Sequence, residues 1–329
     1  MVGKLDPGAL AAVLDRTGGV GEDVLVGPAY GEDAAVIDLG DELLIISSDP
    51  ISLATERIGT LGVHVACNDV AVSGADPEFL TAVLQVPSSE EVMDADGSDR
   101  IEAIMADMER EANTLDVSIV GGHTEYVDQL SRPILSMTAM GRTDRAVLTG
   151  GAEPGDRVVL TKGAGIEATA ILATDFREDL EGIPDDVLDR GAEFFDEISV
   201  VPDARVLREW ATAMHDPTEG GVFTGLIELA TASGVALDVE TEAISVRTET
   251  ARLCAALDLD PLNAFGSGAV LATVSEADIE AALDALADAG IEAADIGAVL
   301  AADEPALFLD GERFTEPERE ALYTLWDEE

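Results

Sequence analysis

The sequence predicts a two-domain protein of mixed α and β structure, an α+β fold with α/β character in its second half. Three observations carry this expectation. The chain has 329 residues, more than one typical domain, and 47% of them are hydrophobic, enough for a large core. Short β-type runs alternate with helical patterns along the whole length. A turn-rich connector, "LTGGAEPGD" (148–156), marks a change of texture, which puts the domains at 1–150 and 151–329.

In the first half, "AAVIDL" (34–39) and "ELLIISSD" (42–49) read as strands divided by the turn at 40–41. Residues 56–73 carry helical apolar spacing at Ile58, Leu61, Val65 and Val72. "EFLTAVLQVP" (78–87) is a strand ended by Pro87, and 99–115 is an amphipathic helix with Ile101, Ile104, Met105 and Met108 on one face. "SIVGGHTEY" (118–126) reads as a strand running into a glycine turn, and 132–143 as a further strand. In the second half the pattern gives a strand at 157–163 and a helix at 165–176. A loosely patterned helical stretch follows to about 213, then a helix at 222–233. The chain closes with a strand at 268–275, a helix at 276–290 and short strands at "IGAVL" and "ALFLD".

Charge excludes some classes of partner. Acids outnumber bases 68 to 18, for a formal net charge of -50, and the only lysines are Lys4 and Lys162. Such a surface offers no basic patch to nucleic acid or to anionic membranes. It also repels itself, so the reading is a protein suited to a salt-rich cytoplasm where screening is strong. Cys67 and Cys254 lie in apolar helical patterns without paired spacing, as buried free thiols do. No run reaches transmembrane length, and "MVGKLDPGAL" lacks a signal-peptide core, which makes a cytoplasmic location the expectation.

Six short stretches carry possible chemistry. "YGEDAAV" (30–36) places Gly31, Glu32 and Asp33 before a strand; alone it is equally a polar turn. "SSDP" (47–50) sets Asp49 at a strand end that Pro50 stops. "CNDVAVSGADP" (67–77) puts Asn68 and Asp69 inside an apolar helix, a costly position unless they face a partner. "GGHTE" (121–125) offers Gly121, Gly122, His123, Thr124 and Glu125, either as a ligand-lining turn or as a plain hairpin. "TKGAGIEAT" (161–169) has the strand–loop–helix order that cradles anions, without P-loop spacing; its Lys162 is structural or substrate-contacting. "MHDPTEGG" (214–221) sets His215 and Asp216 before Gly220 and Gly221 at a helix start. All three histidines, His64, His123 and His215, lie in or beside these polar segments. Drawn together, Asp33, Asp49, Asp69 and Asp216 would repel one another unless cations intervened. An all-carboxylate set suits Mg²⁺ bridging to phosphates, which is phosphoryl-transfer chemistry.

The order "GEDAAV", "SSDP", "NDVAVSGADP", "GGHTE", "HDPTEGG" resembles a superfamily of ATP-dependent enzymes. It includes aminoimidazole ribonucleotide (AIR) synthetase, thiamine-monophosphate kinase, selenophosphate synthetase and the hydrogenase maturation protein HypE. The likeness spans roughly residues 27 to 275 and is nearest to HypE and AIR-synthase-related proteins. It implies a PurM-like two-domain fold whose N-terminal domains pair their sheets in a homodimer, with ATP in a cleft near the interface. It further implies Asp33, Asp49 and Asp69 as Mg²⁺–phosphate carboxylates supported by Asn68. The 121–125 turn would line the nucleotide cleft, with Asp216, Gly220 and Gly221 approaching the phosphates from the second domain. Besides Glu32 before Asp33, where the family's first motif commonly has two aspartates, three departures stand out. The chain ends "LYTLWDEE" without the C-terminal cysteine on which HypE acts, "RTGGVGEDVLVG" (16–27) lacks the reactive residue of selenophosphate synthetase, and "FGSGAVLATV" (265–274) matches neither HypE nor the kinase closely.

The resulting expectation is an ATP- and Mg²⁺-dependent enzyme that phosphorylates an oxygen of a small-molecule or protein-bound acceptor, an amide or carbonyl foremost. Asp69, Asp216 and Lys162 are its candidate catalytic residues. A thiamine-monophosphate kinase is the alternative enzyme, and a nucleotide-binding partner protein without turnover is the alternative outside enzymes.

Overall fold

The computed structural model describes residues 3, 5, 7–14, 16, 21–88 and 98–327. Lys4 and the acidic stretch 91–97 lie outside the described residues. After the short helix α1 (Pro7–Leu14), the first half builds a six-stranded sheet from β1 (Val24–Val26), β2 (Ala35–Asp38), β3 (Leu43–Ile51), β4 (Asp76–Pro87), β5 (Ser118–Val127) and β6 (Ile134–Thr143). Helices α2 (Ile58–Val72) and α3 (Ser98–Leu115) connect them. The strand order is β1-β2-β3-β6-β4-β5, and only the β4–β5 pair is parallel.

The second half forms a seven-stranded sheet and its covering helices. In chain order these are β7 (Asp156–Thr161), α4 (Ile166–Thr174), α5 (Asp185–Ala192), α6 (Val201–Leu207), β8 (Ala211–His215) and α7 (Gly221–Ser233). Then come β9 (Ala236–Val239), α8 (Thr248–Ala256), β10 (Leu271–Ser275), α9 (Ile279–Asp288), β11 (Ala293–Leu300), β12 (Ala306–Leu309), β13 (Glu312–Phe314) and α10 (Tyr323–Asp327). The strand order is β13-β12-β9-β11-β7-β10-β8.

The centre of the molecule is α2. Apart from Thr60, His64, Asn68 and Asp69 its sequence is apolar, and the helix buries every residue from Ile58 to Val72 rather than one face. It packs on β3 and β6 on one side and reaches α6 and β8 of the second half on the other. Val70 and Ala71 of α2 therefore share one hydrophobic cluster with Val201, Ala204 and Leu207 of α6. Each fully buried Val, Leu or Ile side chain here contributes about 1.5–3 kcal/mol.

Three expectations from the sequence need correction. β3 does not stop before Pro50 but runs to Ile51, paired with β6 throughout. Its other neighbour, β2, pairs only residues 43–46, so Pro50 sits on a one-sided stretch where a missing N–H is tolerated. Residues 121–125 form no turn. They continue β5, with one extra residue bulged between the Ile119 and Gly121 pairings to β4. Gly122 is there because a Cβ at that position would lie 2.0 Å from the Ala82 carbonyl oxygen. Finally, 211–215 is a strand, not the tail of a helical stretch: Ala211, Ala213 and Met214 are buried against β10.

Candidate active site

Four elements deliver carboxylates to one place. Asp33 lies in the loop before β2, Asp49 in β3, Asp69 near the end of α2, and Asp216 directly after β8. One oxygen each from Asp33, Asp69 and Asp216 falls within a sphere where all lie within 4.8 Å of one another. Asp49 joins through Ser47, whose hydroxyl donates to Asp69 Oδ2 at 2.5 Å and to Asp49 Oδ2 at 3.2 Å. The first half thus contributes three acids and the second half one.

The electrostatics of this cluster are unfavourable without a cation. Burial, and then the neighbouring Asp216 and Asp49 charges, push the Asp69 carboxyl well above the usual carboxylate range. Burial and Asp33 do the same to Asp216. Asp216 is 1% exposed and neither of its oxygens has a hydrogen-bond partner. A buried carboxylate with no donor costs several kcal/mol unless a cation or proton meets it. Converging carboxylate oxygens, that of Asp216 without a hydrogen-bond donor, are the donor set a hard divalent cation prefers.

One protein cation already serves the cluster's edge. His215 ends β8, with Nδ1 2.8 Å from Asp33 Oδ2 and Nε2 3.1 Å from Glu228 Oε2 on α7. Burial disfavours the charged ring, but the two carboxylates outweigh it and hold His215 protonated well above its ordinary range. Thr149 adds a hydroxyl donor to Asp33 at 3.2 Å. Sequence reasoning missed Ser47, Thr149 and Glu228 as site residues. The signal for Glu228 was present, a single charge inside the apolar run 222–230.

The acids open onto a cavity of about 190 Å³. Its walls include the acids Glu32, Asp33, Asp49 and Asp69 and the apolar residues Ile51, Leu53, Ile171, Phe265 and Trp326. None of its lining residues among the described residues is a lysine or arginine.

Other expected site residues lie elsewhere. Asn68 is fully buried, and its amide is committed to the second domain: Nδ2 donates to Ile198 O at 2.9 Å and Oδ1 accepts from Val200 N–H at 2.8 Å. It therefore positions the helix bearing Asp69. Lys162 is likewise structural in this arrangement. Its ammonium donates to Glu197 O and Ser199 O and pairs with Asp203 at 3.4 Å, away from the cavity lining. Gly121, Gly122, His123, Thr124 and Glu125 sit on the exposed edge strand β5 and do not reach the cavity. Gly31, at φ 83, packs against the Glu228 backbone.

Gly220 and Gly221 both adopt left-handed φ at the start of α7. A Cβ on Gly221 would lie 2.4 Å from Leu262 O, so the close approach these glycines permit is to the chain itself. The Gly220 N–H is taken by Glu320 Oε2 at 2.7 Å. Glu320 also accepts from Phe265 N–H and Leu322 N–H, yet burial still raises its carboxyl to about 8. No signal in the sequence marked Glu320 for this role.

Comparison with known proteins places this geometry. Residues 31–143 match the profile described as AIR synthase related protein, N-terminal domain, and residues 153–310 match its C-terminal domain counterpart. The carbamoyl dehydratase HypE of Cupriavidus necator is 35% identical over 261 residues, covering 76% of this chain and 70% of that protein. The chain belongs to the AIR synthase related family. Within that family, the carbamoyl dehydratase HypE of Rhizobium leguminosarum bv. viciae is 30% identical over 286 residues, covering 83% of this chain and 78% of the relative. The fold agrees with a crystal structure of hydrogenase maturation protein HypE in complex with ATP, at TM-score 0.68 and 24% identity over 94% of this chain and 90% of that one. This family member has two α/β halves, each a sheet with covering helices, as the sequence implied. No helix among the described residues is long and apolar enough to cross a membrane.

Proposed function

We propose that this protein transfers the γ-phosphoryl group of ATP, with Mg²⁺, to an oxygen of an acceptor, an amide or carbonyl oxygen foremost. The observation that carries this reading is the meeting of Asp33, Asp69 and Asp216 from both halves of the chain, with the Asp216 oxygens unpartnered. The likeness to proteins named carbamoyl dehydratase supports an amide-type acceptor.

Asp33, Asp69 and Asp216 would hold the metal, with Asp49 and Ser47 orienting Asp69. A Mg²⁺ ion held there would supply positive charge to offset that of the phosphates. His215, fixed between Asp33 and Glu228, keeps Asp33 oriented and offsets part of the local negative charge. The acceptor oxygen forms a bond to the γ-phosphorus as the bond to the ADP oxygen breaks. With a primary amide, the phosphorylated oxygen then leaves as inorganic phosphate while nitrogen loses two protons, so amide and ATP become nitrile, ADP and phosphate. Among the described residues the walls carry acids and neither lysine nor arginine, which weighs against a phosphate-bearing acceptor such as thiamine monophosphate.

We further take residues 1–150 and 151–329 as the two domains, and β5 as the seam of a homodimer. All residues from Ser118 to Tyr126 are exposed, and Val120 and Tyr126 are 57% and 60% exposed beside Phe79 and Val83 at 40% each. An unpaired apolar edge of this kind is the surface a second copy covers. In that assembly, residues 121–125 lie at the subunit contact. A cytoplasmic setting rich in salt fits the charge of -50.

The test is ATP turnover in molar KCl with a panel of primary carboxamides. The parent should release ADP only with Mg²⁺ and acceptor, and Asp216→Asn should release at least a hundredfold less. Equal rates for parent and variant would remove the carboxylates from the chemistry. Nucleotide binding without ADP release under every acceptor would instead favour a binding protein.

A further inference from the structure

The connector between two acid-bearing elements of the first half is held by a side chain of the second. β3 carries Asp49, α2 carries Asp69, and residues 52–57 join them. Pro50, Ile51, Ser52, Leu53 and Ala54 all line the cavity, so this strap forms part of its wall. The strap docks on the second half. Ala54 is buried in one apolar cluster with Ile166, Ile171 and Phe265, and Leu53 packs against that cluster.

Asp175, directly after α4, fixes the strap's backbone. Its Oδ2 accepts from the Thr55 N–H at 2.7 Å and from the Thr55 hydroxyl at 3.1 Å, and its Oδ1 accepts from the Glu56 N–H at 3.1 Å. Asp175 is itself anchored, because its N–H donates to Ile171 O at 2.9 Å as α4 ends. Ile171 lines the same cavity, so one helix end supplies both a wall residue and the clamp on the strap. An acid at this end opposes the helix dipole, whose C-terminus is negative, and helix stability alone would not favour it there. The donors of Thr55 and Glu56 account for it. The next residue, Arg57, takes a left-handed φ of 52 before α2, with its guanidinium 5.4 Å from the centre of the Phe195 ring. A non-glycine residue stays in that region where its surroundings hold it.

We infer that Asp175 is a positioning residue: by holding Thr55 and Glu56 it keeps the strap in place as cavity wall, and so sets how tightly the cavity holds the apolar part of the acceptor. Asp175 does not line the cavity itself. An asparagine at 175 keeps one acceptor oxygen and turns an amide donor toward the other N–H. Glu56 is exposed, so the released N–H reaches water once the strap shifts outward. The change therefore falls on the cavity wall more than on overall stability. That the ligand is an acceptor rests on the phosphoryl-transfer reading; the clamp on the strap does not.

Trp326 lines the cavity, and Trp210→Phe leaves it as the only indole of the chain. Acrylamide quenching of this indole in the full chain reports the wall without any ligand. Asp175→Asn should raise the quenching constant about twofold or more, as a loosened wall admits the quencher. Thr55→Ala, which removes the hydroxyl donor and keeps both backbone bonds, should raise it less and carries the test if the first variant does not fold. In Mg²⁺-dependent ADP release with butyramide as acceptor, Asp175→Asn should raise the KM of butyramide about fivefold or more and leave kcat within about twofold. A residue that only stabilised the fold would lower the active fraction, and with it kcat, while KM and the quenching of folded protein stayed as in the parent. Quenching or KM unchanged in the folded variants overturns the inference. Absence of ADP release in the parent would count against the phosphoryl-transfer reading instead, and quenching would still decide the role of Asp175 in holding the wall.

Discussion

His215 Nδ1 lies 2.8 Å from Asp33 Oδ2, a contact between residues 182 positions apart that joins the loop before β2 to the end of β8. The same ring reaches Glu228, so one buried cation answers one half-buried and one buried acid. Replacing it removes that positive charge from the edge of the cluster that holds Asp69 and Asp216. His215→Ala should lower stability by about 3–5 kcal/mol in metal-free protein, the usual cost of breaking a buried pair. Urea midpoints measured with and without Mg²⁺ should show the deficit shrinking when the metal is present. A deficit equal in both conditions would separate His215 from the metal cluster.

Asn68 offers a second probe, of domain docking. Removing its amide strands the Ile198 carbonyl and the Val200 N–H in a buried interface. Asn68→Ala should cost about 2–3 kcal/mol, more than a typical surface change. Thermal unfolding of the variant should begin earlier, and hydrogen exchange should rise at 197–201 first. A loss below about 0.5 kcal/mol would show that the shared apolar cluster alone holds the halves together.

Glu320 gives the C-terminal segment a pH dependence with a defined sign. Its carboxyl is raised to about 8 by burial, far above the ordinary value of 4.5. An acid with a raised native pKa stabilises fully below its unfolded value, and that stability is lost as pH rises through the native one. Docking of residues 318–327 onto α7 should therefore weaken between about pH 4.5 and 8. Hydrogen exchange of this segment should quicken across that window in the parent and stay flat in Glu320→Gln. Slower exchange at high pH, after correction for intrinsic rates, would reverse the sign.

Salt should matter as well. A charge of -50 on 329 residues is strong self-repulsion at low ionic strength. The melting temperature should rise by roughly 10 °C or more between 0.1 M and 3 M KCl as the Debye length falls. An unchanged melting temperature would dismiss adaptation to salt.

Much of the fold was legible because long apolar patterns persist over many residues. The spans of α2, α3, β4 and α7 differ from expectation by two residues or fewer. The carboxylates stood out because Asp69 interrupts an apolar helix and Asp33 and Asp216 flank glycine-bearing loops, so burial without a partner was readable as cost. What was hidden depended on pairing across the chain. The strand β8 is five residues long and takes its identity from β10, about 60 residues away. Gly121 and Gly122 carry a turn-like signature, yet the constraint that Gly122 answers is the close approach of β4. Lys162 and Asn68 looked available for a ligand because sequence shows the polar group but not the backbone atoms that satisfy it. Glu320 binds Gly220 100 positions away, a relation no local pattern encodes.

The most direct test of the central claim is a Mn²⁺ titration followed by electron paramagnetic resonance, with a non-hydrolysable ATP analogue present. If Asp33, Asp69 and Asp216 jointly clamp a divalent cation on the triphosphate, the parent binds Mn²⁺ with nucleotide, and Asp69→Asn weakens that binding roughly tenfold or more. Equal Mn²⁺ affinity and an identical spectrum in the folded variant would contradict it.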